Sequence, residues 1–256
     1  MWQLRPDEKT NWLAIEVRDA DSLMNGFQVI HSQTGQAVLT DYQAPEGWWS
    51  GLDELYDGLL YLHGKGNQRY GRHQGITALA PATGHICWQQ PALSFYGLTE
   101  EVLVARQAGE ESLDFVALDR RTGHLLSALP DMAAVKSMLS QFGLRRQQAR
   151  LVPGFYPQDQ PYFKDLAAFI QWKLGVEAVL GIDFLETGRY FVVGFYVPGA
   201  GAKMHYRVAA FSLAGDLRLQ QELAADCEGI GSDYFFILQD TLILIKNRRT
   251  LSGFQL

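Results

Sequence analysis

The chain has 256 residues, of which 47% are hydrophobic, 12% aromatic and 20% charged, a globular composition that excludes general disorder. Its formal charge of −6 and pI near 5.5 argue against nucleic acid as a partner, because phosphate binding needs clustered Lys and Arg. No apolar run approaches the roughly 18–20 residues that span a bilayer, and residues 1–6 lack the pattern of a signal peptide, so we expect a soluble, cytoplasmic protein without membrane partners.

In chain order, the apolar pattern alternates with the period of a β-strand and is punctuated by glycine turns. Trp2–Arg5 reads as a first short strand. Glu16-Val17-Arg18 follows on a second strand, where residues two apart share a face; the pair either grips a polar ligand or forms a salt-bridged polar face. Phe27–Ile30 leads into a small-residue turn ending at Gly35. Pro45-Glu46-Gly47-Trp48-Trp49 is a loop with an acid and two adjacent indoles, which stack on a flat ligand or plug between sheets. Leu59–Leu62 is a buried strand ending at His63. The glycine-rich basic loop 64–72 leads from it to His73, and suits the mouth of a channel that meets an anion.

Ile76–Gly84 repeats the strand and turn of residues 27–35, and Cys87 after it reads as a buried thiol. Val102–Ala105 precedes a third such turn at Phe115–Gly123, and Tyr190–Val197 precedes a fourth at Val208–Gly215. The first two intervals between the turn glycines 35, 84, 123 and 215 fall near the blade period of roughly 40–50 residues. The third is about twice that. Within it, Tyr162–Leu174 has helical spacing between Pro161 and Gly175, and Met132–Phe142 forms a weaker helix. The chain closes on three strands, Tyr234–Leu238, Thr241–Ile245 and Leu251–Leu256.

These elements predict an all-β single domain over residues 1–256: a β-propeller of four-stranded blades, five in number with six as the alternative, carrying a helical insertion near residues 131–176. Because an open sheet edge is an aggregation hazard, residues 2–5 are expected to supply the missing strand of the last blade. Two cysteines are too few for a disulfide framework or a structural zinc site, though one Cys87–Cys227 bridge is compatible with them.

The hairpin Gly75–Trp88 (Gly-Ile-Thr-Ala-Leu-Ala-Pro-Ala-Thr-Gly-His-Ile-Cys-Trp) resembles the repeat of quinoprotein-like propellers. It implies the blade and not the quinone, because the adjacent cysteine pair and calcium carboxylates of those enzymes have no counterpart here. The chain also resembles an uncharacterised bacterial family catalogued as domain of unknown function 4905, through Trp12–Asp19, Pro45–Trp49, the same hairpin and Gly229–Phe236. Pro45–Trp49 is similar to the start of gluconolactonase-like propellers as well, where the Glu ligates a divalent metal. Trp48 replaces the Pro expected there, and matching Asn and Asp ligands are not found.

The functional expectation is a non-enzymatic binding or protein-interaction module for an unknown protein or small-molecule ligand. Its candidate ligand residues are Glu16, Arg18, Glu46, Trp48, Trp49, His63 and His73, with no cofactor and no metal. A metal-dependent lactonase- or esterase-like hydrolase using Glu46 is the alternative. A scaffold with an apolar patch around Phe155, Tyr156, Tyr162 and Phe163 is the third reading. No hydrolase, Walker or paired-cysteine motif is present.

Overall fold

The structure is a computed structural model and describes residues 1–64, 73–107, 114–231 and 233–255. The chain divides into two compact units, residues 1–150 and 151–256.

In the first unit, β1 (Gln3–Asp7), β2 (Trp12–Asp19), β3 (Met24–His31) and β4 (Ala37–Tyr42) form one antiparallel sheet in chain order. A single 3-10 turn, Gly47–Trp49, leads into a second sheet of β5 (Gly51–Tyr56), β6 (Leu59–Gly64), β7 (Gln74–Ala80) and β8 (His85–Gln90). A third holds β9 (Leu93–Leu98), β10 (Val102–Gln107), β11 (Phe115–Asp119) and β12 (Leu125–Leu129), followed by helix α1 (Met132–Ala149). The core of this unit comes from the inner strands. Leu13, Phe27, Val29, Leu55, Leu60, Tyr61, Ala78, Leu79, Leu103 and Ala105 are all buried.

The two-residue strand β13 (Arg150–Leu151) stands at the unit boundary. The second unit has a five-stranded antiparallel sheet of β14 (Gly154–Pro157), β15 (Val179–Glu186), β16 (Tyr190–Pro198), β17 (Met204–Ser212) and β18 (Leu217–Cys227). Helix α2 (Pro161–Leu174) packs Phe163 and Ile170 against Ile182, Val193, Phe195 and Phe211. The fifth sheet is ordered β13–β19–β20–β21, with β19 (Phe235–Leu238), β20 (Thr241–Lys246) and β21 (Thr250–Gln255).

Strand therefore dominates the chain, in five antiparallel sheets of four or five strands. The repeat has a simple physical origin. In four sheets the last two strands are joined by a turn whose glycine has positive φ: Gly35 at 70°, Gly84 at 71°, Gly123 at 70° and Gly215 at 82°. An L side chain is disfavoured there, which is why the glycines mark the period. In the fifth sheet the same hairpin, β20–β21, turns on Asn247 at φ 49° and Arg248 at φ 53°, closed by Arg249 N donating to Lys246 O at 3.0 Å. Three residues, 247–249, link the paired Lys246 and Thr250, and none of them is glycine.

Both predicted helices form. Pro161 opens α2 and Gly175, at φ 68°, closes it in the left-handed conformation. Asp131 caps α1, its carboxylate accepting from Ala134 N at 2.8 Å.

Two expectations are corrected. Residues 3–7 do not complete the last sheet. They pair with residues 12–16 of β2, from Gln3 opposite Glu16 to Asp7 opposite Trp12. A local hairpin closes a short loop, and Asp7 secures it by accepting from Lys9 N at 3.1 Å and Thr10 Oγ1 at 2.7 Å. The strand beside β19 is instead β13. Cys87 is exposed rather than buried, because it lies on the edge strand β8 at a register shift that leaves it without a ladder partner between Ile86 and Trp88. Cys87 and Cys227 are both free thiols. Among the described residues no helix is long and apolar enough to cross a membrane.

Candidate functional site

The site grows from the ribbon of backbone between the 3-10 turn and β5. Arg18 projects from β2 onto that ribbon. Its Nε donates to Glu16 Oε1 at 2.5 Å, its Nη1 to Trp48 O at 3.2 Å and its Nη2 to Ser50 O at 2.9 Å. The guanidinium also lies against two indoles, 5.2 Å from the Trp2 ring centre and 5.1 Å from that of Trp48. Glu16 is fully buried, and its second oxygen accepts from Leu52 N at 2.9 Å. The shared face of Glu16 and Arg18 is thus as the sequence implied, but their charges answer each other and the backbone of residues 48–52.

Five residues further along the ribbon, a second group assembles. His63, next to last in β6, lies opposite Gly51 of β5. A Cβ at residue 51 would overlap the His63 ring, its Nε2 included. Glycine is therefore required by close approach, and the imidazole lies over bare backbone. His63 Nδ1 meets Asp53 Oδ1 at 2.8 Å. The His73 ring stacks on the His63 ring, with centroids 3.6 Å apart and planes 17° from parallel. Ligand atoms of Asp53, His63 and His73 all lie within 4.8 Å of one another.

The electrostatics of this group are set by burial. Burial raises the Asp53 carboxyl above the usual range, against the opposing pull of its His63 hydrogen bond. The other Asp53 oxygen, Oδ2, is buried and has no hydrogen-bond partner among the described residues. Partial burial lowers the His73 imidazole, and the adjacent His63 pushes the same way. His73 also feels the charges of Arg18 and Glu16, which ties the two groups into one neighbourhood.

Of the residues singled out from the sequence, Glu16, Arg18 and Trp48 join directly, as do His63 and His73. Trp49 is 52% exposed and Trp2, which the sequence reading did not single out, is 68% exposed. Glu46 is not part of the Asp53–His63–His73 group. It lines a neighbouring groove of about 360 Å3 with Gly64, Gln74, Thr77 and Gln89. The basic loop 65–72 lies outside the described residues. His85 and His124, equivalent in the repeat, are both exposed on their own hairpins. In the scaffold patch, Phe155 is 41% and Tyr162 67% exposed, whereas Phe163 is buried under α2.

Asp53 escaped the sequence reading for a definable reason. Counting back from the tight turn Asp57–Gly58 puts Tyr56 opposite Leu59, Leu55 opposite Leu60 and Glu54 opposite Tyr61. A regular ladder would then set Leu52 against His63. A β-bulge between Leu52 and Glu54 leaves Asp53 without a ladder partner and moves Gly51 into that place.

Residues 6–88 match the model of a family described as "Domain of unknown function (DUF4905)", so the likeness read from the sequence is found over that stretch. The match contains Glu16, Arg18, Trp48, Asp53, His63 and His73. No curated protein matches the chain. Among solved structures, the chain is similar to dihydro-heme d1 dehydrogenase NirN in complex with DHE, at 8% identity and a TM-score of 0.31 over 87% of this chain and 37% of that one. A structure of prolyl endopeptidases matches at 14% identity and a TM-score of 0.33, over 98% of this chain and 34% of that one. Hydrazine synthase of Kuenenia stuttgartiensis matches at 12% identity and a TM-score of 0.28, over 98% of this chain and 63% of that one. The chain therefore spans less than two thirds of each of these structures.

Proposed function

We propose that this protein is a binding module of the β-propeller type, with its ligand site in the first unit around His63, His73 and Trp48. The propeller reading rests on five sheets built from strands consecutive or nearly so in the chain, four of them ending in the same glycine hairpin. The observation that carries the binding reading is the stacked His63–His73 pair over an unpartnered, buried Asp53 oxygen. Buried polar atoms of folded proteins are nearly always satisfied, so an orphan beside two imidazoles marks a place prepared for something else.

The surroundings suit recognition of a small polar ligand. The imidazoles offer hydrogen bonds or lone pairs, and Trp48 and Trp2 offer indole faces already stiffened by Arg18. Arg18 itself is committed to internal partners, so it acts by holding the indoles and the backbone of Trp48 and Ser50 in place.

The test is ligand-observed NMR on the whole chain with a panel of small carboxylates, phosphates and monosaccharides, repeated on Trp48→Ala. A binder that weakens about three- to tenfold in Trp48→Ala, the worth of one aromatic contact, supports the reading. The absence of any binder, or a binder indifferent to Trp48, removes it.

A further inference from the structure

We infer that Asp53, His63 and His73 form a binding site for one divalent first-row transition ion, of which Zn2+ is the probe. This deepens the reading above, and rests on it only in sharing the same site.

The donor set decides the class of ion. Two imidazoles and one carboxylate suit zinc and its neighbours, whereas calcium and magnesium call for a shell of oxygens. Three protein ligands leave at least one coordination position open, and His73, the exposed member, puts that position toward solvent.

The geometry is close to what an ion needs. Bonds of roughly 2.1 Å in a tetrahedral shell set two donors on one zinc about 3–3.5 Å apart. The three ligand atoms already lie within 4.8 Å of one another. The remainder is a side-chain rotation that takes the exposed His73 ring off the His63 ring.

The surroundings agree. The buried Asp53 Oδ2 lacks a hydrogen-bond partner among the described residues, and an ion would give it one.

The experiment is titration of the EDTA-treated whole chain with Zn2+ by calorimetry, and with Co2+ by visible absorption, on wild type, His73→Ala and His85→Ala. His73→Ala changes an exposed side chain and leaves the sheet intact, while His85→Ala controls for incidental surface binding. The expected result is one ion per chain, visible bands from a low-symmetry cobalt site, and at least about a tenfold loss of affinity in His73→Ala alone. Uptake equally strong in His73→Ala, or no saturable uptake, overturns the inference. Zinc uptake without any organic ligand in the NMR panel keeps the ion and removes the recognition reading. Ligand binding without zinc uptake does the reverse.

Discussion

Arg18 and Glu16 show how a residue with no apparent role in chemistry can hold a site together. Glu16 is fully buried, and its charge is answered by Arg18 and by Leu52 N. Arg18→Ala leaves that carboxylate in the interior with one partner gone, and should cost about 3 kcal/mol in urea denaturation. Arg18→Lys should recover little of it, because an ammonium cannot serve Glu16, Trp48 O and Ser50 O from one plane. Gly51→Ala is a sharper probe. The added methyl meets the His63 ring, so either the ring or the strand must shift. The expected loss is about 1–3 kcal/mol, with displaced His63 and Asp53 resonances in the NMR spectrum. An unchanged spectrum would mean that the imidazole does not lie over residue 51.

Among the elements, α1 depends on one residue more than on its apolar face. Val135 and Phe142 are its buried side chains, Phe142 standing edge-on to Tyr56 at 5.0 Å. Arg146, mostly covered, reaches Glu8 at 3.2 Å, Glu54 at 2.8 Å and Pro6 O at 2.7 Å. Burial raises the Glu54 carboxyl, and Arg146 is the main force opposing it. Arg146→Ala should therefore destabilise the first unit by about 3 kcal/mol and raise hydrogen exchange along residues 132–149 before the sheets open. The fifth hairpin gives a prediction of opposite sign. Arg248 holds φ 53° without the freedom of glycine. Arg248→Gly should stabilise by about 0.5–1 kcal/mol, visible as a higher melting temperature. This hairpin also explains why the repeat signature stopped at four turns. The last turn is of another type, closed from Arg249 N to Lys246 O with Asn247 and Arg248 both at positive φ, and carries no glycine to mark it.

For the molecule as a whole, what was legible divides along physical lines. Strand alternation, the helices of residues 131–176 and the four glycine turns follow from local periodicity and backbone sterics, and each was readable. The partner of residues 3–7, the exposure of Cys87 and the ladder position of Asp53 depend on which strand lies beside which, and one sequence carries little of that. Trp48, His63 and His73 stand out in the sequence because indole and imidazole groups are few, six of each in the chain. Asp53 was hidden among many acids by a one-residue bulge. Acid stability belongs to this scale too. Burial alone would raise the Asp57 carboxyl, but the hydrogen bond and charge of Arg120, with Arg121 beside it, hold it below the usual range. Its stabilising contribution is therefore complete above its unfolded value near 3.9 and is lost as pH falls through the lower folded value. Asp57→Asn should lower stability at neutral pH and flatten the fall of the wild-type curve below about pH 4, as followed by circular dichroism.

The hairpin turns carry a practical corollary. A side-chain carbon added at Gly35 or Gly84 would meet nothing within 4 Å, whereas one at Gly123 would run into the Trp88 ring. The first two turns are thus ports, where a peptide tag or a reporter loop can be grafted while the flanking ladders stay paired. The third is already a packed joint, and cargo placed there would be felt in the core.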